Sequence, residues 1–199
     1  MPSSRPFAAI LLAVVAGPLA AAVPLIDVDL RLGYTFRQKD VDVTTSGVSS
    51  STDWDKVQRL EGGAVVSPGP GPIGWVIGGW VILDNADASG GGSYDAVIGQ
   101  LGVGPALKLP LVRIELMPFV GLGSADYDLG TGSSDHAFYL EYGVRLNAPV
   151  TFPGGFQVGA SLAYVRSDSD HDIEVSGTQI DTEVEQENFQ GTVFIGYRL

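Results

Sequence analysis

Apolar residues recur at every second position through most of the chain beyond residue 25. The segment IDVDLRLGYTF, for example, places Leu30, Leu32 and Tyr34 on one parity and Asp29 and Arg31 on the other. A period of two is typical of a β-strand with one apolar face and one polar face. Seven further segments repeat this alternation and no window has convincing helical periodicity. The sequence therefore predicts an all-β fold of eight strands.

The connections between these segments alternate in length. The long ones are polar: residues 37–53, DNADASGGGS, DYDLGTGSSDH and residues 167–187. The short ones are SPGPGP, residues 109–112 and APVTFPGG. Up-and-down barrels of outer membranes have this alternation, with the long loops outside. An even number of strands would place both termini on the periplasmic side.

Two kinds of barrel fit an alternating pattern, because a soluble barrel encloses its apolar face and a membrane barrel exposes it. The polar parity here mixes charged residues with Gly, Ala and Ser, as the narrow interior of an eight-stranded barrel requires. The other parity carries large aliphatic and aromatic residues. The pattern favours an eight-stranded antiparallel up-and-down transmembrane β-barrel, with a soluble barrel or sandwich as the alternative.

Charged residues on the inner face of such a barrel should pair with one another, because an unpaired charge in a narrow interior is costly. The predicted lumen charge network consists of Asp29, Arg31, Arg59, Glu61, Arg113, Glu115, Glu141, Arg145 and Arg198. We expect these side chains to form a polar plug that blocks free diffusion. A network that opens and passes small ions is the alternative.

Composition and the first residues indicate a compartment. The formal charge of −12 argues against a nucleic-acid partner, and the absence of Cys excludes a disulfide framework and a Cys-based zinc site. Arg5 precedes an apolar stretch from Phe7 to Ala16, and small residues follow at 20–22, as in a secretory signal peptide. We expect residues 1–22 to be a cleaved signal peptide and residues 23–199 an outer-membrane barrel domain.

Most of the 23 acidic residues fall in the predicted outer loops. In the last loop Asp168, Asp170, Asp172 and Glu174 alternate and could present oxygen ligands to calcium or magnesium. The spacing departs from an EF-hand loop, since Ile173 stands where that loop requires Gly. A solvated acidic loop is the simpler interpretation. We expect no firmly bound metal or cofactor.

Enzyme signatures are missing from the sequence, including GxSxG, GxGxxG, a phosphate-binding loop and HExxH. The tripeptide SDH occurs twice, but three consecutive residues cannot assemble a Ser-His-Asp triad among themselves. Adjacent loops could instead bring His136 and His171 together as a weak zinc or copper site. We expect no catalytic residues and no enzymatic activity.

The final strand carries an apolar residue at nearly every second position and an aromatic residue close to its end. Its predicted membrane-assembly residues are Phe189, Val193, Ile195, Tyr197 and Leu199. This ending resembles the C-terminal signal of outer-membrane proteins that the barrel assembly machinery reads, although Leu199 replaces the usual terminal Phe.

With its signal peptide, eight strands and this ending, the chain resembles the small OmpA/OmpX-type β-barrels of the Gram-negative outer membrane. The resemblance covers residues 23–199 and rests on pattern, not on a specific motif. It implies a monomer surrounded by outer-membrane lipid and lipopolysaccharide, with a structural or surface-interaction role through acidic extracellular loops. A narrow porin-like channel for small solutes or ions is the alternative.

Overall fold

The structure is a computed structural model that describes residues 26–37, 40–45, 48–69, 71–88, 93–128, 134–175 and 178–199. Side chains are described for residues 26–36, 57–69, 71–87, 93–126, 137–169 and 185–199. The predicted signal peptide at residues 1–22 lies outside the described residues, so its cleavage stays a prediction.

Strands account for nearly all of the described chain. They are β1 (Ile26–Arg37), β2 (Asp40–Thr45), β3 (Val48–Pro68), β4 (Ile73–Ala88), β5 (Ser93–Lys108), β6 (Arg113–Asp128), β7 (Ser134–Thr151), β8 (Phe156–Val175) and β9 (Thr178–Arg198). Within the described residues, no helix is long and apolar enough to cross a membrane.

The strands close into a barrel because β1 pairs with β9, and every pairing is antiparallel. β2 continues β1 along the same partner in one register: Arg37 lies opposite Gln190, and five residues further along each strand Asp42 lies opposite Glu185. β1 and β2 therefore share one position in the barrel wall. The predicted eight-stranded antiparallel barrel is confirmed.

Side chains alternate between the exterior and the lumen, as strand geometry dictates. Trp75, Leu101 and Phe138 are between 62% and 66% exposed, and all three belong to the parity predicted to face outward. Asp29 and Glu115, on the opposite parity, are 0% exposed. The exterior is thus apolar, as the sequence predicts. The lumen holds the charged residues together with a cluster of buried apolar side chains that includes Trp80, Ile82 and Ile98.

Short turns join β3 to β4, β5 to β6 and β7 to β8 at one end of the barrel, which we call the turn end; the opposite end is the loop end. In the turn between β7 and β8, Gly154 and Gly155 have φ values of 89° and 88°. Residues with a Cβ rarely adopt this backbone conformation, so glycine permits the tight reversal.

The prediction of long loops at residues 37–53 and 167–187 is wrong, because the structure has strands in both ranges. β2 and the beginning of β3 occupy the first, while β8 and β9 continue through the second. β3 and β9 each contain 21 residues, although roughly 9–11 tilted residues suffice to cross a bilayer. Above a membrane both faces of a strand can be polar, so the hydropathy alternation stops before the strand does.

Candidate functional site

All nine residues of the predicted lumen charge network lie on the inner face of the barrel. They are Asp29 and Arg31 on β1, Arg59 and Glu61 on β3, Arg113 and Glu115 on β6, Glu141 and Arg145 on β7, and Arg198 on β9. Eight are buried, whereas the Arg198 side chain is 28% exposed at the turn end. Their contacts form three layers along the barrel axis.

The first layer, the turn-end cluster, contains Asp29, Arg31, Arg113, Glu115 and Arg198. Arg31 donates to both oxygens of Glu115 at 2.6 and 2.8 Å, and Arg113 Nε donates to Glu115 Oε1 at 2.5 Å. Asp29 accepts hydrogen bonds from Arg31 at 3.1 Å, from Arg198 Nε at 2.8 Å and from Arg113. Two carboxylates therefore bind three guanidinium groups.

Polar neighbours surround this cluster. Asn147 Nδ2 donates to Glu115 Oε2 at 3.0 Å. Asp27 lies at the rim of the lumen: its side chain is 42% exposed and its carboxylate lies 3.6 Å from Lys108 Nζ. Solvent thus reaches the lumen at the turn-end rim.

The second layer, the central pair, consists of Glu61 and Arg145. Arg145 Nη1 and Nη2 donate to the two oxygens of Glu61 at 3.1 and 2.9 Å. The Arg145 guanidinium also lies 4.8 Å from the ring centroid of Trp80 and 5.8 Å from that of Phe119, within cation–π range. Trp80 fits because a Cβ at Gly63 would overlap its ring. Charge and aromatic rings together occupy the middle of the lumen.

The third layer, the loop-end cluster, contains Arg59, Asp84 and Glu141. Arg59 Nη1 donates to Asp84 Oδ2 at 3.0 Å, and Arg59 Nη2 donates to the Glu141 oxygens at 3.0 and 2.9 Å. Gln100 Nε2 and the Tyr139 hydroxyl also donate to Glu141, at 2.9 and 3.2 Å. Here one guanidinium serves two carboxylates.

The three layers together carry no net charge, because five arginines face five carboxylates. The arginines are Arg31, Arg59, Arg113, Arg145 and Arg198, and the carboxylates are Asp29, Glu61, Asp84, Glu115 and Glu141. The distribution is uneven: the turn-end cluster carries +1, the central pair is neutral and the loop-end cluster carries −1. Every arginine bonds a carboxylate on another strand, so the network joins the barrel wall across its lumen.

Sequence reasoning missed Asp84, which it counted among the acidic residues of outer loops and strand edges. The structure corrects this: Asp84 is 0% exposed and bonded to Arg59 inside the lumen. The available signal was parity, since Asp84 stands two residues after Ile82 and four after Trp80, both buried. Its surroundings, DNADASGGGS, have the composition of a loop, and that composition concealed the alternation.

The predicted cation-binding residues are Asp168, Asp170, Asp172 and Glu174. All four occupy alternate positions of β8, and Asp168 lies opposite Glu185 of β9. The side chains of the other three lie outside the described residues, as do those of His136 and His171. Among described side chains no group of three or more His, Cys, Asp or Glu could hold a metal ion. Calcium, magnesium, zinc or copper binding stays a prediction.

The predicted membrane-assembly residues lie on the barrel exterior. Phe189, Val193, Ile195, Tyr197 and Leu199 are between 48% and 59% exposed. They flank the contact between β9 and β1 that closes the barrel. Their recognition by the barrel assembly machinery stays a prediction.

The exposure pattern defines the class of protein. Large apolar side chains cover the exterior, and the ion-paired side chains lie in the interior. A soluble barrel would leave this apolar surface in water, at a cost of about 25 cal/mol for each Å². A closed barrel in lipid satisfies its backbone hydrogen bonds between strands and places its apolar exterior in hydrocarbon. The chain is a transmembrane β-barrel.

Comparisons with solved structures found further barrels. The chain is similar to Ail, the attachment invasion locus protein of Yersinia pestis, solved with the heparin analogue sucrose octasulfate (TM-score 0.46, 16% identity, 88% of this chain and 99% of that chain). It is also similar to the outer membrane protein OprG of Pseudomonas aeruginosa (TM-score 0.45, 14% identity, 87% of this chain and 95% of that chain). A third similar structure is Neisserial surface protein A (TM-score 0.38, 12% identity, 84% of this chain and 96% of that chain). No protein-family model and no curated protein matched. The class assigned above rests on the geometry of the barrel itself.

Proposed function

We propose that this protein is a non-enzymatic β-barrel of the bacterial outer membrane with a structural or surface-interaction role. The observation that carries the proposal is the neutral, paired charge network in the lumen. A lumen occupied by paired ions and aromatic rings is a plug. The outer ends of the strands are then the surface that meets other molecules.

The orientation follows from the two ends of the barrel. Short turns face the periplasm and long strands project outward in barrels of this class, so the turn end and both termini are assigned to the periplasm. Outer-membrane lipid and lipopolysaccharide surround the apolar exterior of a monomer. The predicted signal peptide and the exterior residues of β9 are consistent with export followed by insertion through the barrel assembly machinery.

Acidic residues at opposite positions on the projecting strands support an interaction role. Asp168 of β8 lies opposite Glu185 of β9, and Asp170 lies opposite Glu183. The Glu185 side chain is 51% exposed and lies 3.6 Å from Arg166, so this surface already attracts a cationic group. A cationic partner, or calcium or magnesium bridging to lipopolysaccharide phosphates, would bind the same acidic strands.

Binding to a cationic probe tests the surface role. Proteoliposomes carrying the full barrel should bind a lysine-rich peptide but not a serine-rich peptide of equal length, and rising salt should weaken the binding. Neutralising the β8 carboxylates (D168N, D170N, D172N and E174Q together) should reduce it. Equal binding of both peptides, or an unchanged affinity in the neutralised variant, would contradict the role.

A narrow channel is the second candidate, because the lumen is lined with charged groups along its length. Single-channel recording on purified, refolded protein separates the two candidates. The plug predicts a silent bilayer. Discrete conductance steps that disappear on altering Arg145 or Glu115 would favour the channel.

A further inference from the structure

The turn-end cluster contains more hydrogen-bond donors than its carboxylates accept. Arg31 Nε and Arg113 Nη1 have no hydrogen-bond partner among the described residues, although the two arginines are only 6% and 3% exposed. A buried donor without an acceptor costs about 1–3 kcal/mol, and more when it is charged. Arg59 and Arg145 in the other two layers each have one such N–H as well, and Gln157 Oε1 is a buried acceptor without a partner in the described part of the turn-end half. The turn-end cluster differs because two such donors lie together with an excess of positive charge, which favours an anionic acceptor.

Two hydroxyl groups in the same half of the lumen are also without partners among the described residues. Ser67 and Ser161 are 0% and 7% exposed, and neither Oγ makes a hydrogen bond. Ser161 lies opposite Asn147, whose amide contacts Glu115 of the cluster. Ser67 lies opposite Asp27 at the rim. Both hydroxyls can donate to a ligand near the cluster.

The charge of the cluster selects the sign of that ligand. Three arginines and two carboxylates leave +1, and the rim pair of Lys108 and Asp27 adds one charge of each sign. The opposing −1 lies in the loop-end cluster, beyond the central pair. In a narrow lumen of low dielectric constant, a positive excess attracts an anion much more strongly than it would in water.

Access is from the turn end. The side chains of Arg198 and Lys108 are 28% and 17% exposed there, so solvent reaches the rim of the cluster. The lumen of an eight-stranded barrel is just wide enough for its own side chains. Because so little room is left beside those side chains, only a small ion could enter the cluster.

We propose that the turn-end cluster is a binding site for a small monovalent inorganic anion, entering from the turn end and held by Arg31 and Arg113. The site is separate from the acidic loop end. If the cluster binds no anion, the proposed surface role is unaffected.

The test uses refolded full-length barrel in zwitterionic detergent, with chloride as the probe and gluconate as a bulky anion at equal ionic strength. Chloride should raise the thermal unfolding midpoint relative to gluconate, and the effect should saturate. Line broadening in ³⁵Cl NMR should follow the same titration.

Two variants change the charge of the site in opposite directions. Arg198→Gln makes the cluster neutral and should abolish the chloride-specific shift. Asp29→Asn raises the excess to +2 and should lower the half-saturating chloride concentration about tenfold. Asp84→Asn, in the loop-end cluster, is the control and should bind chloride as the wild type does.

Identical unfolding in chloride and gluconate would overturn the proposal, as would a full chloride effect in Arg198→Gln. If Asp29→Asn does not refold, Arg198→Gln alone decides, because its side chain lies at the solvated rim and its loss leaves two arginines on the carboxylates.

Discussion

The two ends of the lumen bury charge with different numbers of partners. In the loop-end cluster Arg59 bonds both Asp84 and Glu141, and none of these three side chains is more than 1% exposed. In the turn-end cluster three guanidinium groups share two carboxylates, and one of them, on Arg198, is 28% exposed. One arginine therefore bonds two carboxylates at one end, and three arginines share two carboxylates at the other.

From this difference we expect redundancy, more than the number of ion pairs, to set the cost of losing one side chain. Removing one partner of a buried pair costs about 3–5 kcal/mol, because the other charge is left uncompensated. A pair that reaches solvent contributes about 0–1 kcal/mol. Substitutions at the two ends should therefore differ in size, even where each removes one arginine.

The largest effect should come from Arg59→Leu, which removes the guanidinium that bonds two buried carboxylates. We expect the free energy of unfolding to fall by about 3–5 kcal/mol, measured by urea titration of the refolded barrel in detergent. A triple variant that adds Asp84→Asn and Glu141→Gln should recover much of the loss. A loss no larger than that of Arg198→Gln would remove the contrast between the two ends.

The next largest effect concerns the layer that separates the two ends. In Gly63→Ala the new Cβ would overlap the Trp80 ring and the Gly79 carbonyl, so we expect overpacking to cost about 1–3 kcal/mol. Tryptophan fluorescence and urea unfolding would both report it. Gly191→Ala is the matched control, since a Cβ there meets nothing within 4 Å. Equal free energies of unfolding in the two variants would show that the Trp80 ring does not require glycine at position 63.

Arg198→Gln should cost about 1 kcal/mol or less, because the side chain is partly solvated and Asp29 keeps hydrogen bonds from Arg31 and Arg113. The same urea titration checks this. A loss comparable to that of Arg59→Leu would show that the turn-end arginines are not redundant.

The smallest effect should come from Asp84→Asn. The amide oxygen can still accept from Arg59, and the loop-end cluster becomes a neutral pair of Arg59 and Glu141. We expect an unfolding midpoint close to that of the wild type. A large loss would mean that the second carboxylate stabilises the cluster in spite of its excess charge.

Alternation in the sequence predicts the wall of this barrel because both of its faces obey a physical constraint. Arg59 and Glu141 could be placed in the lumen from parity alone, since a shift by one residue would turn them toward lipid. The constraint ends where the strands leave the apolar zone. For that reason the alternation does not predict the extension of β8 and β9.

The partners inside the lumen could not be predicted from the sequence. Arg31 bonds Glu115 and Arg145 bonds Glu61, and in both pairs 84 residues separate the partners. Contacts across a barrel depend on strand tilt and stagger, which are properties of the closed sheet. No local pattern of residues records them.

The pairing of β1 with β9 has a consequence for biogenesis. Arg198 and Asp29, which bond across this junction, are 169 residues apart in the chain, and contacts of such separation are slow to form. A polypeptide lacking β9 would leave β1 with a row of bare amide groups in hydrocarbon, each costing several kcal/mol. A chain truncated before β9 should therefore not insert stably, because only the pairing of β9 with β1 satisfies those backbone groups.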